Sequence, residues 1–200
     1  EHLDLLLQAT TGKDYSPNGL QVQGRRPIRK IATGVSSCVE LFERARDAGA
    51  DAVLVHHGIF WDGMPRQLTG HTYARVAPLL EAGMHLLAYH LPLDAHPELG
   101  NNARLGKLLG LAEQGRFGEQ NIACIGELAP PQTLAQFAAQ VGHGLQRAPQ
   151  IIGDPARIIR KVAWCSGGAQ GYFEAAIEHD RNRLGLDRRH RCVALVCDGA

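Results

Sequence analysis

The sequence predicts an α/β fold built on parallel strands, and three observations carry that reading. Ala50-Asp51-Ala52-Val53-Leu54-Val55 is a short apolar run closed by His56-His57-Gly58-Ile59-Phe60-Trp61, and such runs suit strands buried on both faces of a parallel sheet. Strand and helix signals alternate through the first half of the chain, which is the signature of βαβ units. Near the C-terminus a strand–turn–helix pattern returns with an offset of 131 residues: Arg29, Lys30, Ala32, Phe42, Glu43 and Ala45 meet Arg160, Lys161, Ala163, Phe173, Glu174 and Ala176. That weak repeat points to two related α/β halves, divided here as residues 1–112 and 113–200.

Taken in order, residues 3–9 read as the remains of an amphipathic helix. Asp14-Tyr15-Ser16-Pro17-Asn18-Gly19-Leu20-Gln21-Val22 is a turn-rich loop leading into a short strand, because Pro, Asn and Gly each favour turn geometry. Lys30 to Val35 is a second strand. Ser36-Ser37 then offers an N-cap to a helix on which Cys38, Leu41, Phe42, Ala45 and Ala48 share one face. Gly49 stops that helix, and the run from Ala50 follows at once.

The same pattern then repeats. Residues 72–82 are helical in composition, Gly83 is the stop, and Met84 to His90 is the next strand. Leu91-Pro92-Leu93-Asp94-Ala95-His96-Pro97 reads as a loop broken by two prolines, and residues 99–109 as a helix. Beyond Gly115 the expectation is a strand or hairpin over 117–128, a helix over 131–141, an extended segment over 145–152, and a strand over 157–165. Ser166-Gly167-Gly168-Ala169-Gln170-Gly171 then feeds a helix through Tyr172, Phe173, Ala176 and Ile177. A glycine turn before a helix is a potential anion site, although the full dinucleotide fingerprint and the P-loop lysine are both missing. The repeat also asks for a strand near 181–186. That stretch is basic and non-alternating, a poor central strand and a surface segment by composition.

The 200 residues carry a net charge of +1, 20% charged side chains and 44% in the AVILMFWYC set. This is the profile of a globular chain with enough length to bury a core. The charge balance supplies no electrostatic case for nucleic acid or a membrane surface. No apolar run approaches membrane-spanning length, and no signal-peptide pattern opens the chain. Five cysteines with no C-x-x-C pair argue against a disulfide framework, so a reducing, cytoplasmic setting is expected. Cys192 and Cys197 are expected as buried thiols on a strand.

In open α/β sheets, ligands collect at the carboxyl ends of the strands. His56 and His57 end one strand, and His90 and Asp94 end its neighbour, so these residues meet on one sheet edge. Imidazole and carboxylate together suit a divalent metal such as Zn, Fe, Mn or Ni. A plainer account is also open: strand-end histidines often only bond backbone, and Asp94 can brace its own loop. Adjacent side chains on a strand point to opposite faces, so His56 and His57 converge only if the strand has ended and the chain turns at Gly58. His96 reads as structural.

These motifs resemble those of the Nif three-like proteins, named GTP cyclohydrolase I type-two homologs. The matching stretches are Tyr15 to Val22, Gly49 to Trp61, His90 to Pro97 with Asn101-Asn102, and Trp164 to Gln170. The resemblance implies a three-layer α/β sandwich, with a dinuclear metal centre between two related halves and assembly into a homohexameric ring. It places His56, His57 and Asp94 on metal ligands and His90 on a site-lining histidine suited to proton transfer or to supporting a ligand from behind. It further implies metal-dependent hydrolysis of a small molecule, of the kind that opens the ring of a nucleotide such as GTP. A metal-binding or adaptor protein without turnover is the alternative. The family's remaining ligands come from a His-x-x-x-Glu element, which this chain lacks: Arg183 follows His179 at that spacing and Ala194 follows His190. The resemblance stops near Ile177, which predicts a truncated, frameshifted or divergent tail.

Overall fold

In the computed structural model the backbone is described for residues 1–184 and 193–198, and side chains through residue 178. The chain divides into two units, Glu1–Leu93 and Asp94–Ala200. Among the described residues there are two four-stranded sheets and seven α-helices, the mixed α/β class expected.

The first unit holds α1 (His2–Leu6), β1 (Gly19–Val22), β2 (Ile31–Ser36), α2 (Val39–Asp47), β3 (Ala52–His57), α3 (Gly70–Ala82) and β4 (His85–Ala88). Its sheet runs β1-β4-β3-β2, with β2, β3 and β4 parallel and β1 antiparallel at the edge. The alternation along each strand decides what is buried. Val53 and Val55 pair with Leu86 and Ala88 in register, and all four side chains are buried with Phe42 and Ala45 of α2 and Val76 and Leu79 of α3. At roughly 1.5–3 kcal/mol for each large apolar side chain removed from water, this cluster is the main support of the unit. α3 ends at Gly83, whose φ of 64° is the left-handed conformation that glycine takes without strain. Because β2, β3 and β4 are parallel, their carboxyl ends share one sheet edge.

The second unit holds α5 (Asn101–Leu108), β5 (Ala112–Phe117), β6 (Ala123–Thr133), α6 (Leu134–Leu145), β7 (Ile158–Ser166), α7 (Phe173–Leu184) and β8 (Val193–Asp198). The sheet order is β5-β6-β7-β8, antiparallel until the parallel pair β7 and β8. Thr133 starts α6 with a capping box: its hydroxyl accepts the Gln136 N–H, and the Gln136 amide reaches back to the Thr133 N–H. Trp164 is fully buried and donates its indole N–H to the Asn102 carbonyl at 2.9 Å. Its ring lies where a side chain at position 106 would stand, which explains a glycine inside α5.

Three expectations change. The loop after β4 begins as a one-turn helix, α4 (Leu91–Ala95); a proline at the second position of a helix loses no hydrogen bond, since the first amides have no partner anyway. α6 runs on to Leu145, past the expected end at 141, and residues 146–152 follow outside helix and strand. The strand required by the repeat stands at Val193–Asp198, later than 181–186, because a 3-10 turn at Ala169–Tyr172 precedes α7 and the helix runs on to Leu184. The β7–α7–β8 order with a parallel pair still matches β2–α2–β3. The basic residues 185–191 and the expected burial of Cys192 and Cys197 fall outside the described residues and side chains.

Candidate metal centre

Three of the four expected site residues come together. His56, His57 and His90 each offer a ring nitrogen, and these atoms lie within 4.8 Å of one another. The ring centroids are 4.5 Å apart for His56 and His57, 5.1 Å for His56 and His90, and 5.7 Å for His57 and His90. Trp61 packs edge-on against His90 at 5.0 Å and donates its indole N–H to the Gly58 carbonyl. All three histidines belong to the first unit.

The convergence of His56 and His57 does not need the strand to end before them. β3 runs through His57, which still pairs with Ser36 at the last register position. Each ring is instead drawn to a different neighbour. The Nδ1 of His56 lies 3.0 Å from the Tyr89 carbonyl, beyond the end of β4, while that of His57 lies 2.9 Å from the Ser36 hydroxyl on β2.

His90 is anchored most firmly. Its Nδ1 lies 2.7 Å from Oδ1 of Asp14, whose side chain is only 6% exposed. Burial works to raise the Asp14 carboxyl, yet the His90 ring, the Asn18 amide and the Leu91 N–H hold it down at about 2. An ionised carboxylate and a carbonyl accept hydrogen bonds only. The rings of His90 and His56 therefore donate from Nδ1, so Nε2 is the nitrogen that a metal would take. Serine can donate or accept, so Ser36 orients His57 without dictating its tautomer.

This donor set fits a divalent ion. Neutral imidazoles whose second nitrogen is held by a carboxylate, carbonyl or hydroxyl are the usual metal-binding arrangement. Nitrogens around a tetrahedral zinc stand about 3.3 Å apart, given zinc–nitrogen bonds of about 2.0–2.1 Å. The 4.8 Å spread is a looser version of that geometry, within reach of modest ring rotation. Three protein ligands leave a position open, as in catalytic zinc sites.

Other polar groups named in the sequence have partners of their own. Asp94 begins the second unit, 7% exposed, and its Oδ1 accepts from the Asn101 amide at 2.7 Å and the Ser166 hydroxyl at 3.2 Å. That carboxylate sits beside the glycine turn where an anion site was expected, a poor electrostatic setting for a phosphate. His96 Nδ1 accepts the Glu98 and Leu99 N–H groups, and both nitrogens of His85 are engaged by the backbone at Gly24 and Arg26. Ser36 and Ser37 do not cap α2. The cap position is Cys38 without a side-chain bond, because the register turns both hydroxyls onto His57, one to its ring and one to its carbonyl. Asp14, Ser36 and Trp61 were thus missed as site residues. The one sequence signal for Asp14 was its place at the head of the Pro-Asn-Gly loop.

A family model described as Duf34/NIF3 (NGG1p interacting factor 3) matches residues 1–182. A Neisseria meningitidis serogroup B protein named GTP cyclohydrolase 1 type 2 homolog is 51% identical over 172 residues, 86% of this chain and 69% of the relative. An Escherichia coli (strain K12) protein of the same name is 41% identical over 182 residues, covering 90% and 71%. Among solved structures, a protein described as ybgI, of unknown function, superposes with a TM-score of 0.83 at 32% identity, over 100% of this chain and 96% of that one. A Thermus thermophilus protein does so at 0.76 and 28%, over 99% and 83%.

Proposed function

Because the chain belongs to the Duf34/NIF3 family, we propose that it is a divalent-metal-dependent, hydrolase-like protein whose ion is held by His56, His57 and His90. The observation that carries this reading is the convergence of three ring nitrogens within 4.8 Å, with each ring anchored through Nδ1. His90 is read as a ligand, since its ring nitrogen stands within the same distance of both neighbours as they do of each other. Asp94 is kept as the carboxylate ligand on the family resemblance, one helical turn along the chain from His90.

A bound divalent ion supplies a Lewis acid and lowers the pKa of water from ~15.7 to ~7. The chain's own residues present three converging imidazoles, and Trp61 packs edge-on against one side of His90. A nucleotide such as GTP is the proposed substrate, supported by the names of the relatives. The homohexameric ring is proposed on the same resemblance, and light scattering of purified protein tests it.

A second reading is a metal-binding or adaptor protein without turnover. It is favoured by the ligand set: the cluster among the described residues is three imidazoles. Elemental analysis of protein purified without added metal, followed by a hydrolysis screen on GTP and phosphoesters, separates the two. Stoichiometric metal with turnover supports the hydrolase. Stoichiometric metal without turnover supports the second reading, and protein that takes up no metal overturns both.

A further inference from the structure

The segment Asp14–Gln21 leads into β1, and its polar side chains divide between the two strand tips that carry the histidines. Asp14 and Asn18 turn to the tip of β4. Asp14 Oδ1 accepts from His90 Nδ1 at 2.7 Å, Oδ2 accepts the Leu91 N–H at 2.9 Å, and the Asn18 side-chain Oδ1 accepts the His90 backbone N–H at 2.8 Å. Asn18 also donates to Asp14 Oδ2 at 2.9 Å, and Asp14 Oδ1 accepts the Tyr15 N–H, so the pair is braced from within. Ser16 and Gln21 turn to the tip of β3. The Ser16 hydroxyl donates to the Phe60 carbonyl at 2.8 Å, Gln21 Oε1 accepts the Ile59 N–H at 2.8 Å, and Gln21 Nε2 bonds Ser16 and the Pro17 carbonyl.

One short loop thus grips both tips. We propose that Asp14 is a positioning residue for His90: from this clip its carboxylate sets the tautomer and direction of the His90 ring before any ion arrives. The proposal rests on reading His56, His57 and His90 as ligands. The physical reason is that a carboxylate offers no proton, so the bond to Nδ1 forms only with the ring proton there. In the neutral ring Nε2 is then the nitrogen with the lone pair, and the bond holds the ring in its direction. Partners of this kind typically change metal affinity by about 10- to 100-fold when removed. An asparagine at position 14 keeps the shape but brings an N–H donor, which can face Nδ1 and drive the proton to Nε2.

The test has two arms. Long-range proton–nitrogen-15 spectra of the histidine rings in metal-free protein, with His90 assigned by its Gln variant, report the tautomer. Titration calorimetry with Zn2+ reports affinity. Wild-type protein is expected to carry the His90 proton on Nδ1. Asp14→Asn is expected to shift it toward Nε2 and to weaken Zn2+ binding about 10- to 100-fold, with His56 and His57 spectra unchanged. A wild-type His90 protonated on Nε2 overturns the proposal, as does an Asp14→Asn protein that keeps both the Nδ1 proton and wild-type affinity. Wild-type protein that binds no Zn2+ fails the metal reading instead, and the ring spectrum still decides the role of Asp14. The wild-type tautomer is read without Asp14→Asn, so it decides the case even where that variant does not fold.

Discussion

Gly58 is without a side chain because Gln21 fills the space: a Cβ at position 58 would stand 2.3 Å from the Gln21 amide. That amide accepts the N–H of Ile59, a fully buried residue. Adding a methyl group at position 58 therefore displaces a hydrogen-bond partner of the buried backbone next to the histidine pair. Gly58→Ala is expected to destabilise the protein by about 1–3 kcal/mol, the cost of one unsatisfied buried donor. Gln21→Ala should cost a similar amount, and the double variant less than the sum. Urea unfolding of the three proteins checks this; strict additivity would show that the two positions are independent.

Metal removal tests the cluster without needing a substrate. An ion that binds only the folded protein stabilises it by about 2.7 kcal/mol at a hundred times its dissociation constant. Wild-type protein should therefore lose several degrees of Tm on exhaustive chelation and regain them with Zn2+. His57→Ala should abolish the response to Zn2+ while leaving the Tm of the metal-free protein within a few degrees of wild type. Differential scanning calorimetry with and without chelator measures both.

Asn102 is the polar centre of the second unit. Fully buried, it donates to the Ile122 carbonyl at 2.8 Å and accepts the Ser166 N–H at 2.6 Å. Asn102→Ala strands both groups at about 1–3 kcal/mol each. A loss of roughly 2–5 kcal/mol is expected by chemical denaturation. A loss under 1 kcal/mol would mean that water replaces the amide.

Two cysteines of opposite environment should differ in reactivity. Burial, reinforced by the nearby Glu113 carboxylate, pushes the Cys124 thiol up to about 12, and the residue is fully buried. Cys38 is exposed. Since the thiolate is the reactive form, brief iodoacetamide treatment at neutral pH should label Cys38 and spare Cys124. Peptide mapping by mass spectrometry reads this directly, and prior unfolding should equalise the two.

Asp51 couples two strand starts. The N–H groups of Arg29 and Lys30 each donate to its Oδ2 at 3.0 Å and hold its carboxyl below the ordinary value of 3.8. A depressed folded-state pKa contributes stability that is present above the unfolded value and lost as pH falls through the folded one. Asp51→Asn should therefore lower Tm at pH 7, and the gap to wild type should narrow as pH drops below about 4. Thermal melts across that range test the sign.

Residues 50–57 show how far local pattern reaches. Unbroken apolar composition marked a buried parallel strand, glycines marked the ends of α2 and α3, and histidines at two strand ends marked a sheet-edge site. Each of these rests on neighbours close in the chain. Pattern misled where a hydrogen bond had a distant competitor. Ser36 and Ser37 looked like helix caps, yet the β2–β3 register delivers them to His57. Alternation said that His56 and His57 should diverge, yet an anchor on β2 and another just past β4 draw them together.

What this sequence determined by itself is its alternating strands and helices, its family, and the imidazoles offered to a metal. Periodicity and residue type are written into consecutive positions, so they can be read without coordinates. What only the tertiary structure decided is how those imidazoles are held. The Asp14–His90 bond joins residues 76 apart in the chain, and no local pattern encodes a partner at that range. It exists because three parallel strands end at one edge and a loop from the start of the chain closes over it.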